Sequence, residues 1–263
     1  MIRSKLATML VALTLFAPAA RAQSTVTAKL TAPYAPNAGA VTAFGYYMSP
    51  YSGTVDGFTQ RLNCVDFFHD VSVGEVWTAT TVNLGAAIMG AAGGDWSLLS
   101  YTREGSNGLY TPSTALSIYE QVAYLTTQYG ANPGSNPTQT TAIQTAIWAI
   151  ANNQPNNAFS SLGNYVGTLN VNSADVNTTG YWINRAQTQY DQQVAGYYDQ
   201  FNVLTDVRKG TAAGGVQEFV YATPEPGTMT LIGTGLMMMG GVGFRRRRKS
   251  ANGGAELNTE ATA

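Results

Sequence analysis

The chain has 263 residues, is 44% hydrophobic and only 11% charged, and carries a formal net charge of −1. That near-neutrality hides a division: residues 23–224 hold six Lys and Arg against twelve Asp and Glu, a net charge of −6, while eight basic residues sit in the two ends. A sparse acidic surface excludes a nucleic-acid binder, which needs clustered Lys and Arg, and the supply of aliphatic and aromatic residues excludes a disordered chain.

In chain order, the first 22 residues have the layout of a secretory signal peptide. Arg3 and Lys5 precede a mostly apolar run from Leu6 to Phe16, and Ala20-Arg21-Ala22 is a small-x-small cleavage site, so the mature chain is expected to begin near Gln23. Residues 24–33, STVTAKLTAP, alternate and are Thr/Val-rich, which predicts a strand. Residues 40–51 predict a second strand ending at Ser49-Pro50. The stretch FTQRLNCVDFFHDVSVGEVWTATTVNL holds two strand-like runs on either side of a turn at Gly74, and EVWTATTV is a strong β-pattern. The glycine-rich GAAIMGAAGGDW is ambiguous. The pattern then turns helical. Leu116, Tyr119, Val122, Ala123 and Leu125 fall near a helical period within 114–129, with Gly130 as the stop. A second helix is predicted over 138–152, with Ile143, Ala146, Ile147 and Ile150 on one face, and a third over 180–200. GVQEFVYATP closes the domain as a strand. This order predicts an α+β ectodomain over 23–223, a β-sheet or barrel portion with an inserted helical subdomain.

After Pro226 come 18 uncharged, apolar or small residues, 227–244, at the short limit for a membrane span. Arg245, Arg246, Arg247, Arg248 and Lys249 follow as a basic block that the positive-inside rule keeps in the cytoplasm. Residues 250–263 read as a disordered cytoplasmic tail. The triplet Pro224-Glu225-Pro226, the glycine-rich apolar segment and the arginine cluster together resemble the PEP-CTERM sorting signal, here 224–249. The resemblance implies recognition and cleavage by the membrane transpeptidase exosortase in a Gram-negative, exopolysaccharide-making bacterium. It implies a membrane-anchored precursor at the inner membrane, delivered to the cell surface or to an extracellular, biofilm-type matrix.

Cys64 is the only cysteine. Exported proteins usually employ cysteines in disulfide pairs, so a lone thiol is either buried and inert or chemically engaged. Around it stands Leu62-Asn63-Cys64-Val65-Asp66, and 80 residues later Ile143-Gln144-Thr145-Ala146-Ile147-Trp148. These two stretches resemble the motifs of bacterial thioester (TQXA-type) domains, a cysteine followed by an apolar residue, then apolar-Gln-x-x-apolar-Trp. Two positions depart from the pattern: Asn63 replaces the usual aromatic or leucine, and Ile143 the usual threonine. The resemblance implies an internal thioester between the Cys64 sulfur and the Gln144 side chain, formed with loss of ammonia, and attachment to an amine or hydroxyl of a partner.

Such a bond is an activated acyl group and survives only in a water-poor pocket; Phe67, Phe68, Trp77 and Trp148 are candidate walls, with Asp66 and His69 as further pocket candidates. Forming it needs a thiolate or a nearby base and donors, expected from the backbone, for the oxyanion. Two other readings stay open. Gln144 and Cys64 can be ordinary helix and core residues of a non-catalytic, adhesive matrix protein. Alternatively, Cys64 and His69, the only histidine, form a hydrolase pair, although an odd spacing of five puts them on opposite faces of a strand. No enzyme, cofactor or metal is expected, since Asp66, His69 and Asp70 have no second histidine or cysteine to complete a metal site. The partners expected are exosortase, the membrane before processing, and a surface or matrix target, an exopolysaccharide or a protein amine.

Overall fold

The strand Gln23–Pro33 (β1) shows how the first half of the ectodomain is built. Val26, Ala28 and Leu30 are buried while Thr25, Thr27 and Lys29 face outward, the period of two expected for a strand with one wet face. The computed structural model describes residues 22–33, 41–152, 172–209 and 215–223. These belong to one compact unit, Ala19–Thr223. A second unit, Met1–Pro18 with Pro224–Ala263, lies outside the described residues. The expected signal peptide (save Ala22), sorting triplet, segment 227–244, basic block and tail therefore lie outside them too. Among the described residues no helix is long and apolar enough to cross a membrane.

Five further strands close a barrel with β1: Tyr51–Val55 (β4), Phe58–Cys64 (β5), Val76–Asn83 (β6), Phe201–Asp206 (β7) and Phe219–Ala222 (β8), in the order β1-β4-β5-β8-β7-β6. Every pairing is antiparallel. β4 and β5 meet through Asp56 (φ +49) and Gly57 (φ +81). Two consecutive positive φ angles make the tight hairpin turn that Asp-Gly favours, and the Asp56 carboxylate accepts the Thr27 N–H of the neighbouring strand at 2.8 Å. A separate two-stranded hairpin, Thr42–Ala43 (β2) and Tyr46–Tyr47 (β3), occupies part of the region expected to be one strand over 40–51. Phe44 (φ +57) and Gly45 (φ +86) turn the chain there, so the alternating pattern is cut in two.

Among the described residues between β6 and β7 lie the helices Leu84–Ala92 (α1), Arg103–Ser106 (α2), Pro112–Thr126 (α3), Pro137–Ala151 (α4) and Thr179–Gln189 (α5), with 3-10 turns before α2, between α3 and α4 and after α5. The inserted helical portion is thus as expected, and the ambiguous glycine-rich stretch is largely α1. Asn83 starts α1 by accepting the Ala86 N–H, while its amide N–H groups donate to the Asp199 and Phe201 carbonyls. Thr111 and Asn136 cap α3 and α4, each with proline as the first helical residue. The helix expected over 180–200 stops at Gln189, because Gly196 (φ +81) reverses the chain and Phe201 opens a strand. β7 has no counterpart among the sequence expectations: six residues buried on both faces show no alternation.

Two cores result. Leu30, Leu62, Cys64, Trp77, Leu204 and Phe219 fill the barrel, and Trp148 of α4 joins them. Tyr119, Val122, Ile143, Ile147, Trp182, Val203 and Val220 pack the helices on the barrel's outer face. On β7 and β8, Leu204 and Phe219 point inward while Val203 and Val220 point to the helices. Helix α4 is buried nearly all round, as a helix wedged between two layers must be.

Candidate functional site

Cys64 is the last residue of β5, paired with Phe219 of β8, and is 0% exposed. Its N–H donates to the Ser49 hydroxyl at 2.7 Å. Its carbonyl accepts the Gln144 side-chain N–H at 3.0 Å. Its sulfur accepts the Trp148 indole N–H at 3.3 Å and donates to the Asp66 carbonyl at 3.2 Å. Gln144, also 0% exposed, is completed by the Tyr129 hydroxyl, which donates to its side-chain oxygen at 2.9 Å. The two residues singled out from sequence, 80 positions apart, are therefore in direct contact.

A stripe on one face of α4 makes that contact. Residues four apart on a helix stack above one another, and Gln144, Trp148 and the residue after the helix, Asn152, follow that spacing. The Asn152 amide donates to the Val65 carbonyl at 3.1 Å and its oxygen accepts the Phe67 N–H at 3.4 Å. Three polar side chains thus stitch α4 along the segment from Cys64 to Phe67. The sequence motif named Gln144 and Trp148 but not Asn152, although the Gln-x3-Trp-x3-Asn spacing continues the same stripe. Tyr129, Ser49 and Arg103 were missed as well, because each comes from a different element and no spacing links them to Cys64.

The candidate walls divide. Phe67 packs edge-on against Trp148, ring centroids 4.9 Å apart. Trp77 lies in the barrel core beside Phe219. Phe68 is 47% exposed and stacks edge-on with Phe67 from the solvent side. Trp148 also lines a cleft of about 260 Å³ together with Tyr46, Tyr47, Tyr51, Phe67, Asp70 and Gln217, so one indole is shared by the cleft and the sulfur.

Asp66 and His69 form a neighbouring cluster. The Asp66 carboxylate receives the His69 Nδ1–H at 2.5 Å, pairs with Arg103 Nε at 3.1 Å and accepts the Phe68 N–H at 2.8 Å. Arg103 Nη1 lies 2.9 Å from His69 Nε2, which serves as its acceptor. Among the described residues the sulfur's hydrogen-bond partners are Trp148 and Asp66, and the imidazole's are Asp66 and Arg103. Below Arg103 sits a fully buried carboxyl, Glu218. It accepts from the Tyr119 hydroxyl at 2.6 Å, the Thr205 hydroxyl at 2.5 Å and the Arg103 N–H at 2.9 Å. Burial pushes the Glu218 pKa above the usual carboxylate range. Glu104, buried and facing Glu218, is pushed up to about 8, by burial first and by that second carboxylate next.

Burial also pushes the Cys64 thiol up. The Trp148 N–H pulls the other way, but a fully desolvated sulfur favours its neutral form. In this pocket the Gln144 amide is held on the backbone carbonyl of Cys64, and the neutral thiol of the same residue on Trp148 and Asp66.

Residues 222–248 match the model of the PEP-CTERM protein-sorting motif. The chain carries a PEP-CTERM sorting signal. The match covers Pro224, Glu225, Pro226 and Arg245 through Arg248, and it implies exosortase processing of an exported, membrane-anchored precursor that goes to the cell surface. The chain matches no curated protein. Among solved structures it is similar to the N-terminal thioester domain of fibronectin-binding protein SfbI from Streptococcus pyogenes, with 10% identity and a TM-score of 0.40, over 78% of this chain and 97% of that one.

Proposed function

We propose that this PEP-CTERM protein presents a surface ectodomain whose Cys64 sulfur and Gln144 side-chain carbon close an internal thioester. The thioester would serve for covalent attachment to an amine or hydroxyl of a surface or matrix partner. The observation that carries this reading is the Gln144 amide, fully buried and held between the Cys64 carbonyl and the Tyr129 hydroxyl, with Trp148, one turn along the same helix, on the sulfur. In forming the bond, sulfur adds to the Gln144 carbonyl carbon, the thiol proton passes to the departing nitrogen, the C–N bond breaks and ammonia leaves. In attachment, the partner's nitrogen or oxygen adds to the same carbon, the C–S bond breaks, and the partner's proton returns the thiol. The cleft bounded by Trp148 lies on the other side of the indole that holds the sulfur, and a nucleophile seated there would have to displace that indole to reach the bond.

Intact mass tests the reading. The domain should weigh about 17 Da less than its sequence, the mass of one ammonia, and Cys64→Ala should restore the full mass. Because the thiol is buried, labelling belongs in denaturant: a full mass with one alkylatable thiol would sink the proposal. The neutral, fully buried sulfur favours one second reading, a non-catalytic adhesive domain in which Cys64 is a core residue; that full-mass result is its signature.

A further inference from the structure

A carbonyl under attack by sulfur or by an amine develops negative charge on its oxygen, and whatever donor faces that oxygen beforehand stabilises the transition state without reorganising. Backbone N–H groups are the expected donors, but the side-chain oxygen of Gln144 is faced by a phenol. The geometry points to Tyr129 as a catalytic residue of the thioester chemistry, its hydroxyl donating to the Gln144 oxygen both when the Cys64 bond forms and when a nucleophile opens it. This inference rests on the thioester reading and adds a named group to it.

Four observations carry it. The Tyr129 hydroxyl lies 2.9 Å from the Gln144 oxygen, inside the range for a working donor. The amide's other end is fixed on the Cys64 carbonyl, so the oxygen is turned toward Tyr129. The ring is held from outside: Tyr129 ends the 3-10 turn Thr127–Tyr129, Arg61 lies over its face at 5.9 Å, and the same Arg61 donates to the Gly130 carbonyl at 2.8 Å. Finally, Tyr129 donates to the Gln144 oxygen, the Gln144 amide donates to the Cys64 carbonyl and the Cys64 N–H donates to the Ser49 hydroxyl, so donor, acyl group and the nucleophile's residue lie on one connected chain. Such a chain polarises each of its members. Burial keeps the phenol protonated well above its ordinary range, so the donor persists at any working pH.

The test compares wild type with Tyr129→Phe in the full chain, by intact mass and by the rate at which methylamine opens the bond, read as the thiol released into a denaturing quench. Removing one oxyanion donor costs on the order of 100-fold in rate, so Tyr129→Phe should be opened about that much more slowly, or be recovered at full mass with Cys64 unlinked. A Tyr129→Phe chain that is fully linked and opened within about twofold of wild type overturns the role of Tyr129 and leaves the thioester standing. A wild-type chain of full mass overturns both. If Tyr129→Phe does not fold, a fluorinated tyrosine placed at 129 keeps the shape and strengthens the donor. Opening should then be faster, and an unchanged or slower rate overturns the role.

Discussion

Ser49 shows how much of this pocket rests on single polar atoms. Its hydroxyl is the partner of the Cys64 N–H, in a place water does not reach. Ser49→Ala should cost about 1–3 kcal/mol, the penalty for a buried donor left unmade, seen as a lower urea midpoint at unchanged slope. Glu104 gives a sign-definite pH effect. Its folded pKa is raised to about 8, whereas the unfolded carboxyl ionises near its ordinary value of 4.5. Between those two values the unfolded chain has released the proton that the native chain keeps. Stability from this group is therefore full below the lower value and is lost as pH rises toward the upper one, by at most about 1.4 kcal/mol per pH unit. Glu104→Gln keeps the shape and an acceptor for the Asn107 amide. Thermal melts at pH 5 and pH 8 should show a smaller loss in the variant than in wild type; an equal loss would place the effect elsewhere.

At the scale of elements, the barrel strand and the helix meet because each offers one face to a different core. Cys64 points into the barrel, and the Gln144–Trp148–Asn152 stripe of α4 reaches it from the helical side. Gly85 of α1 illustrates how tight these contacts are: a Cβ there would come within 2.8 Å of the Asp199 Cα, in the turn Tyr197–Gln200. Alanine raises helix propensity by about 1 kcal/mol over glycine, but overpacking against backbone costs about 1–3 kcal/mol. The collision should win, and Gly85→Ala should melt lower than wild type. A higher melting temperature would mean that α1 and the turn can separate without cost. The alternation of β1, the helical periods of α3 and α4 and the strong pattern of β6 were legible in sequence, since a local period decides them; the Pro-led, capped starts of the two helices, one to two residues earlier than expected, were not read. β7 was not, because burial on both faces erases the period. The 40–51 region was misread because a turn at Phe44-Gly45 interrupts an otherwise continuous pattern.

For the whole molecule, the charge division separates a weakly acidic ectodomain from basic ends, and the sorting motif lies at one of those ends. Replacing Pro224, Glu225 and Pro226 by alanine should leave the chain as an unprocessed precursor in a host that carries an exosortase. An immunoblot of membrane and medium fractions checks this, and processing at the wild-type level would show that the triplet is not the determinant. By itself the sequence determined the sorting signal and the α+β class, and it singled out Cys64 and Gln144 as a candidate pair, because these are carried by short linear patterns. Only the tertiary structure decided that β5 ends where α4 passes, which brings residues 80 positions apart into hydrogen-bond contact. It also decided that Ser49, Tyr129 and Asn152 complete the pocket. Those three come from a loop, a 3-10 turn and a helix end, and the closure of the barrel, a property of six strands together, fixes the strand end about which they gather.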